Sequence, residues 1–166
     1  MSALPSLFVA HGSPMLALDG EAWGPALRAA AASLPRPKAI LVATAHWEAA
    51  GPFRLSSAER PGVMHDFGGF PEALYHLDYP APGAPEVARQ AQALLRAAGL
   101  DAELDEARPL DHGTWVPLMY LAPEADIPVV QLSLPRPRTP EQLLAQGRQG
   151  AARREQLLRR AGARQG

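Results

Sequence analysis

Apolar runs that end on a histidine set the first pattern in this chain. Leu4 to Ala10 is almost wholly apolar, and His11, Gly12, Ser13 and Pro14 follow directly. The run predicts a buried strand and the Gly-Ser-Pro sequence a tight turn, which puts His11 at the strand's carboxyl end. Lys38 to Thr44 repeats the arrangement, with Ile40-Leu41-Val42-Ala43-Thr44-Ala45 delivering His46. Between the two, Gly20 to Ser33 sets Trp23, Leu27, Ala30 and Ala31 on one helical face, and Pro35 and Pro37 stop it. Strand, helix and strand in this order predict a right-handed crossover with the strands parallel. Both histidines then reach the same sheet edge, where open α/β sheets gather their ligands.

The pattern continues with shorter elements. Phe53 to Ser57 reads as a short strand. Arg60 to Phe70 carries Pro-Gly, His-Asp and Gly-Gly pairs, which mark a loop holding His65 and Asp66. Pro71 suits the first residue of a short helix to Tyr75, and Tyr79 to Gly83 is extended or turn. Pro85 to Ala98 is the clearest amphipathic helix: Val87, Ala91, Leu94 and Leu95 face inward, Arg89, Gln92 and Arg96 outward, and Gly99 ends it. Asp101 to Leu104 reads as a strand. Leu110-Asp111-His112-Gly113 is a further turn with a histidine, and the helix from Thr114 to Leu121 is expected to break at Pro117. Ile127 to Leu134 reads as a buried strand. After Pro135 the texture changes, and Glu141 to Gly166 is rich in Arg, Gln, Ala and Gly, with one helix at Glu155 to Arg160. The expected organisation is one α/β domain over residues 1–137, a mostly parallel central sheet flanked by helices, followed by a basic peripheral tail over 138–166.

Composition narrows the chemistry. The chain has 166 residues, 47% hydrophobic and 20% charged, enough for one buried core. A net charge of −1 gives no electrostatic case for a nucleic-acid partner. The absence of cysteine removes disulfides, thiolate ligands and a cysteine nucleophile together. No signal peptide is read at the N-terminus, and no apolar run reaches the roughly 18 residues of a membrane span, so the expectation is a cytoplasmic chain without a membrane partner. Ser13 lacks a Gly-x-Ser-x-Gly elbow, and neither Gly12 nor Gly68-Gly69 makes a phosphate loop.

Five histidines remain to carry chemistry: His11, His46, His65, His76 and His112. Neutral imidazole suits zinc, iron, nickel and copper. Strand-end placement makes His11 and His46 the candidate metal ligands. His112, in a Gly-flanked turn beside Asp111, is a candidate acid/base. His65 is a second one, with Asp66 either orienting its ring or capping the turn. His76 reads as structural or as a helix C-cap. Trp47, Phe67, Phe70, Tyr75 and Trp115 either wall an apolar pocket for a planar substrate or pack the core.

Taken together, six segments carry a resemblance: His11-Gly12-Ser13-Pro14-Met15, Thr44-Ala45-His46-Trp47, His65-Asp66-Phe67-Gly68-Gly69-Phe70-Pro71, Tyr79-Pro80-Ala81-Pro82-Gly83, Leu110-Asp111-His112-Gly113-Thr114-Trp115, and Ala125 to Ser133. In this order they resemble the class III extradiol ring-cleaving dioxygenases of the LigB-type superfamily, and within it the DOPA 4,5-dioxygenase-like branch. The resemblance implies an α/β fold with one Fe(II) or Zn(II) per chain. His11 and His46 match the family's first two metal histidines, His112 matches its histidine in the Asp-His-Gly turn, placed near the substrate, and His65 matches the one in its His-Asp-Phe loop. Trp47, Asp66, Phe67 and Trp115 are the substrate-side candidates. The substrates it implies are a small catechol such as DOPA and dioxygen. The family pattern runs on past the strand ending near Leu134 to further histidines, one of them a metal ligand, whereas no histidine follows His112 here. The expectation is therefore a form truncated relative to the family, whose third ligand comes from His65, His112, Asp66 or a second chain. Two other readings stay open: an inactive truncated fragment with weak metal binding, and a zinc-dependent hydrolase. A sheet missing its last strands would expose an edge and favour a homo-oligomer.

Overall fold

Four strands form one mixed sheet in the computed structural model, which describes residues 4–136, 139–142, 144, 145 and 148. Strand β1 (Ile40–Ala50) pairs in parallel with β4 (Val129–Arg136), and β2 (Phe53–Ser56) pairs in parallel with β3 (Ala102–Asp105). Strands β2 and β4 meet antiparallel through Leu55 and Leu132, which gives the order β1-β4-β2-β3. The α-helices among the described residues are α1 (Trp23–Ala32), α2 (Glu72–Tyr75), α3 (Pro85–Ala97) and α4 (His112–Leu121). Successive strand residues point to opposite faces, and β4 uses both. Val129 packs with Leu110, Trp115, Val116 and Leu118, while Val130 packs with Phe53, Leu55, Ala88 and Ala102. The sheet is thus covered on both sides, as the expected α/β architecture requires.

Helix α3 behaves largely as its pattern predicts. Pro85 lies in its first turn, and Gly99 follows its end with φ +78°, a left-handed geometry that glycine adopts without strain. Val87, Ala88, Ala91 and Leu95 lie against the sheet. Leu94, expected inward, is instead 43% exposed. The buried stripe is built on Ala88 and Ala91, narrow enough that Leu94 falls on its shoulder. Two outward residues curl back: Gln92 Nε2 and Arg96 Nη2 donate to the Ala102 carbonyl at 3.1 and 2.8 Å.

Three other expectations are corrected. Residues 4–10 form no strand, and Leu4, Leu7 and Phe8 are 39, 51 and 101% exposed. An apolar run shows a tendency to be buried but does not supply a neighbour. Among the described residues β4 is the only strand paired with β1, and the expected first strand of the crossover is absent. Helix α4 begins at His112, not Thr114, and runs through Pro117 without a break. Proline forfeits one bond to the residue four earlier, here the glycine at 113 in the helix's first turn. The helix is otherwise apolar all round, and Trp115, Val116, Pro117, Leu118 and Tyr120 are buried. Packing therefore outweighs local propensity. The last correction concerns His46, which lies inside β1 and not at its end.

Past β4, Thr139 and Gln142 cap each other: Gln142 Oε1 accepts from the Thr139 N–H at 3.0 Å, and Thr139 Oγ1 from the Gln142 N–H at 3.3 Å. The helix expected at Glu155 to Arg160, and most of the expected tail over 138–166, lies outside the described residues. No helix among the described residues is long and apolar enough to cross a membrane.

Candidate metal centre

Three separate devices bring three imidazoles together. The first is a pinned loop. Trp23, opening α1, donates its indole N–H to the Ala10 carbonyl at 2.9 Å, which fixes the backbone one residue before His11. Ser13 then caps the short 3-10 turn Pro14–Ala17 through the Met15 N–H, at 3.2 Å. The second is a bulge in β1. Ala43 pairs with Leu132 and Glu48 with Leu134, so five steps of β1 are matched by two of β4. Bulges re-aim side chains, and this one presents His46 while burying Thr44 and Trp47. The third is the N-terminus of α4, where His112 is the first helical residue behind the N-cap Asp111.

The geometry is close. His11 Nε2 lies 2.9 Å from His46 Nε2. Ring centroids stand 4.1 Å apart for His46 and His112 and 5.2 Å for His11 and His112. One ring nitrogen of each lies within 4.8 Å of the others. Nitrogens around a tetrahedral zinc at 2.0–2.1 Å would stand about 3.3 Å apart, which lies within the 4.8 Å span of these nitrogens. Neutral imidazoles are apt donors for zinc or iron. His11 Nδ1 is buried with no hydrogen-bond partner among the described residues, and the ring's other nitrogen faces His46. The residues present fit a divalent metal.

Asp66 stands behind two of the rings. Its Oδ1 accepts from the backbone N–H and from Nδ1 of His112, both at 2.9 Å, and its Oδ2 lies 3.6 Å from His46 Nδ1. Burial alone would raise the Asp66 pKa, but the two hydrogen bonds from His112 outweigh it and hold the carboxyl below its ordinary value.

Beneath the cluster lies a buried polar network. Asp111 is fully buried and accepts from Thr44 Oγ1 at 2.9 Å, the Thr114 N–H at 3.1 Å and Arg108 Nη2 at 3.0 Å. Gln131 Oε1 accepts from the Asp111 N–H and from Thr114 Oγ1, at 3.1 and 2.7 Å. Arg108 also donates to the His46 carbonyl at 3.3 Å and lies 4.9 Å from the Trp47 ring centroid. Gly113 permits this approach, since a Cβ there would sit 2.6 Å from His46 Cδ2 and 3.0 Å from Thr44 Oγ1. The network locks the β1 bulge, α4 and β4 into one unit.

The remaining candidates fall into two places. His65 is outside the three-histidine cluster. Its Nε2–H donates to the Leu77 carbonyl at 3.0 Å, and its ring lies 5.7 Å from both Phe67 and Trp115. Trp115 is fully buried and donates to the Met64 carbonyl at 3.1 Å. Phe67 borders the centre, 5.5 Å from the His112 ring. His76 occupies the C-cap position of α2. Sequence reasoning passed over Thr44, Arg108, Gly113 and Gln131. A polar Gln131 inside an apolar strand was the available signal, because buried polar groups need partners.

Comparison with known proteins covers the stretch of chain that carries these residues. The family model described as the catalytic LigB subunit of aromatic ring-opening dioxygenase matches residues 6–149. The chain is 42% identical over 154 residues to the 4,5-DOPA dioxygenase extradiol of Escherichia coli (strain K12), covering 92% of this chain and 56% of that protein. It is 43% identical over 138 residues to the protein of that name from Beta vulgaris, covering 78 and 49%. Dioxygenase tasH of Hapsidospora irregularis is 46% identical over 114 residues, covering 68 and 35%. The crystal structure of an uncharacterized protein, JW3007, from Escherichia coli K12 superposes with a TM-score of 0.53 at 35% identity, covering 69% of this chain and 41% of that one. The chain spans about half the length of the curated relatives it matches. With the fold, the ordered motifs and the family match in agreement, the chain belongs to the LigB family of aromatic ring-opening dioxygenase catalytic subunits.

Proposed function

We propose that this chain carries the metal-holding part of an extradiol dioxygenase that opens the ring of a small catechol, such as DOPA, with dioxygen. The observation that carries the reading is the meeting of His11, His46 and His112 from three distant points of the chain. His11 and His46, whose Nε2 atoms stand 2.9 Å apart, hold one metal, Fe(II) or Zn(II), with Fe(II) for ring opening. When bound, the metal supplies an orienting template and a Lewis acid for the catechol oxygens and dioxygen.

The chain's own residues do the rest. The His112 ring lies 4.1 Å from that of His46 and 5.5 Å from that of Phe67, which sets it beside both the metal pair and an aromatic side chain. Its Nδ1 is held by Asp66, so Nε2 is free to take a catechol proton and return it later. Asp66 would stabilise the imidazolium formed on the way. The Asp111 network keeps His46 and His112 in register, and both atoms of dioxygen end in the ring-opened product.

The test is oxygen uptake with a panel of catechols after anaerobic Fe(II) loading, wild type beside His112→Ala. Uptake with formation of a ring-opened product, reduced about 10²–10⁴-fold in His112→Ala while its metal is retained, is the expected result. No uptake by the metal-loaded wild type with any catechol would refute the proposal.

A further inference from the structure

The Asp66 carboxylate does more than border the site. An ionised carboxylate can only accept hydrogen bonds. Its Oδ1 takes both the backbone N–H and the ring Nδ1 of His112 at 2.9 Å, and its Oδ2 faces His46 Nδ1 at 3.6 Å. A neutral imidazole with Nδ1 protonated has its lone pair on Nε2. His46 Nε2 is the atom that meets His11 Nε2, at 2.9 Å. Asp66 comes from the loop before α2, His46 from β1 and His112 from α4, so one side chain ties three segments of the fold. Its side chain is 22% exposed, too enclosed to be a freely solvated charge.

We infer that Asp66 is a positioning residue that fixes the tautomers of His46 and His112 together, turning both Nε2 lone pairs into the three-histidine cluster. Its contacts are with the two imidazoles, which distinguishes this role from substrate binding. The inference rests on the metal-centre reading for its purpose, but the tautomers themselves exist in the metal-free protein.

The experiment is two-bond ¹H–¹⁵N correlation on histidine-labelled, metal-free protein at about pH 8, where ordinary imidazoles are neutral. Zinc titration of the same samples runs beside it. In wild type both rings are expected as Nδ1–H. Asp66→Ala should return both to the Nε2–H form and weaken zinc binding about 10–100-fold. Asp66→Asn keeps a carbonyl for His112 but sets an amide N–H₂ against His46, so His46 alone should switch. That variant decides the matter if Asp66→Ala does not fold. Nε2–H rings in wild type, or Nδ1–H rings that persist in both variants, would overturn the inference. Wild type that binds no zinc would count against the metal centre, and the tautomer result would still decide the role of Asp66.

Discussion

Asp111 shows how much of the centre depends on side chains that never touch a ligand. It caps α4, receives Thr44 from β1 and pairs with the half-buried Arg108. Removing one partner of a buried ion pair leaves the other charge uncompensated, at a cost of about 3–5 kcal/mol. Asp111→Ala is therefore expected to lose on the order of 3 kcal/mol in urea denaturation, whereas Asp111→Asn, which keeps an acceptor for the cap, should lose less. Tyr79 offers a test by pH. Its hydroxyl donates to the Ala122 carbonyl at 2.7 Å, and burial pushes its pKa up to about 12 from the ordinary 10.0. A raised folded-state pKa means the contribution is full below pH 10, where the unfolded phenol is still neutral, and is lost as pH rises toward 12. Tyr79→Phe should cost about 1 kcal/mol near neutral pH and show a shallower loss of stability above pH 10 than wild type. A loss of equal slope in both proteins would contradict the assignment. At this scale His11 and His112 were legible because each sits beside a glycine-containing turn, and His46 because it follows an apolar run, although it lies inside β1. Thr44, Arg108 and Gln131 were not, since a hydrogen bond across the fold leaves no local mark in the chain.

At the scale of elements, the β1 bulge decides where His46 points. Ile40 to Ala45 reads as a plain apolar strand, and nothing within it announces a bulge. The irregularity exists only relative to β4, whose register jumps between Ala43 and Glu48. The same holds for Gly113, whose need for a bare α-carbon comes from the ring of His46 beside it. Gly113→Ala should force these elements apart, costing about 1–3 kcal/mol in denaturant unfolding. It should also weaken metal retention, while the far-UV spectrum stays native-like. Helix α3 stands at the other extreme. Its periodicity, its proline start and its glycine end are all local, so its span was readable to within a residue. In α4 the Pro117 signal misled because it is local too, and burial on every side overrode it.

At the scale of the whole molecule, the sequence supported an α/β sheet but not its pairing. The crossover expected between residues 4–10 and β1 lacks its first strand, β1 pairs instead in parallel with β4, and the antiparallel contact of Leu55 with Leu132 has no signature in either segment. The N-terminal run is the clearest divergence, with Phe8 wholly exposed where a buried strand was expected. Phe8→Ser should therefore change unfolding free energy by no more than about 0.5 kcal/mol, the usual range for a surface position. A loss of several kcal/mol would restore the buried strand. The histidine at the end of that run still reaches its place, because Trp23 and the turn at Ser13 hold it there without a strand. Family, fold and the gathering of three imidazoles thus agree, and the claim on which the functional reading stands is that His11 and His46 hold a metal.

The most direct measurement is metal content per chain after anaerobic loading with Fe(II) or Zn(II) and removal of excess, for wild type, His11→Ala and His46→Ala. About one metal per wild-type chain, lost in both variants, is the expected result. A wild type that retains none, or variants that retain as much as wild type, would contradict the account.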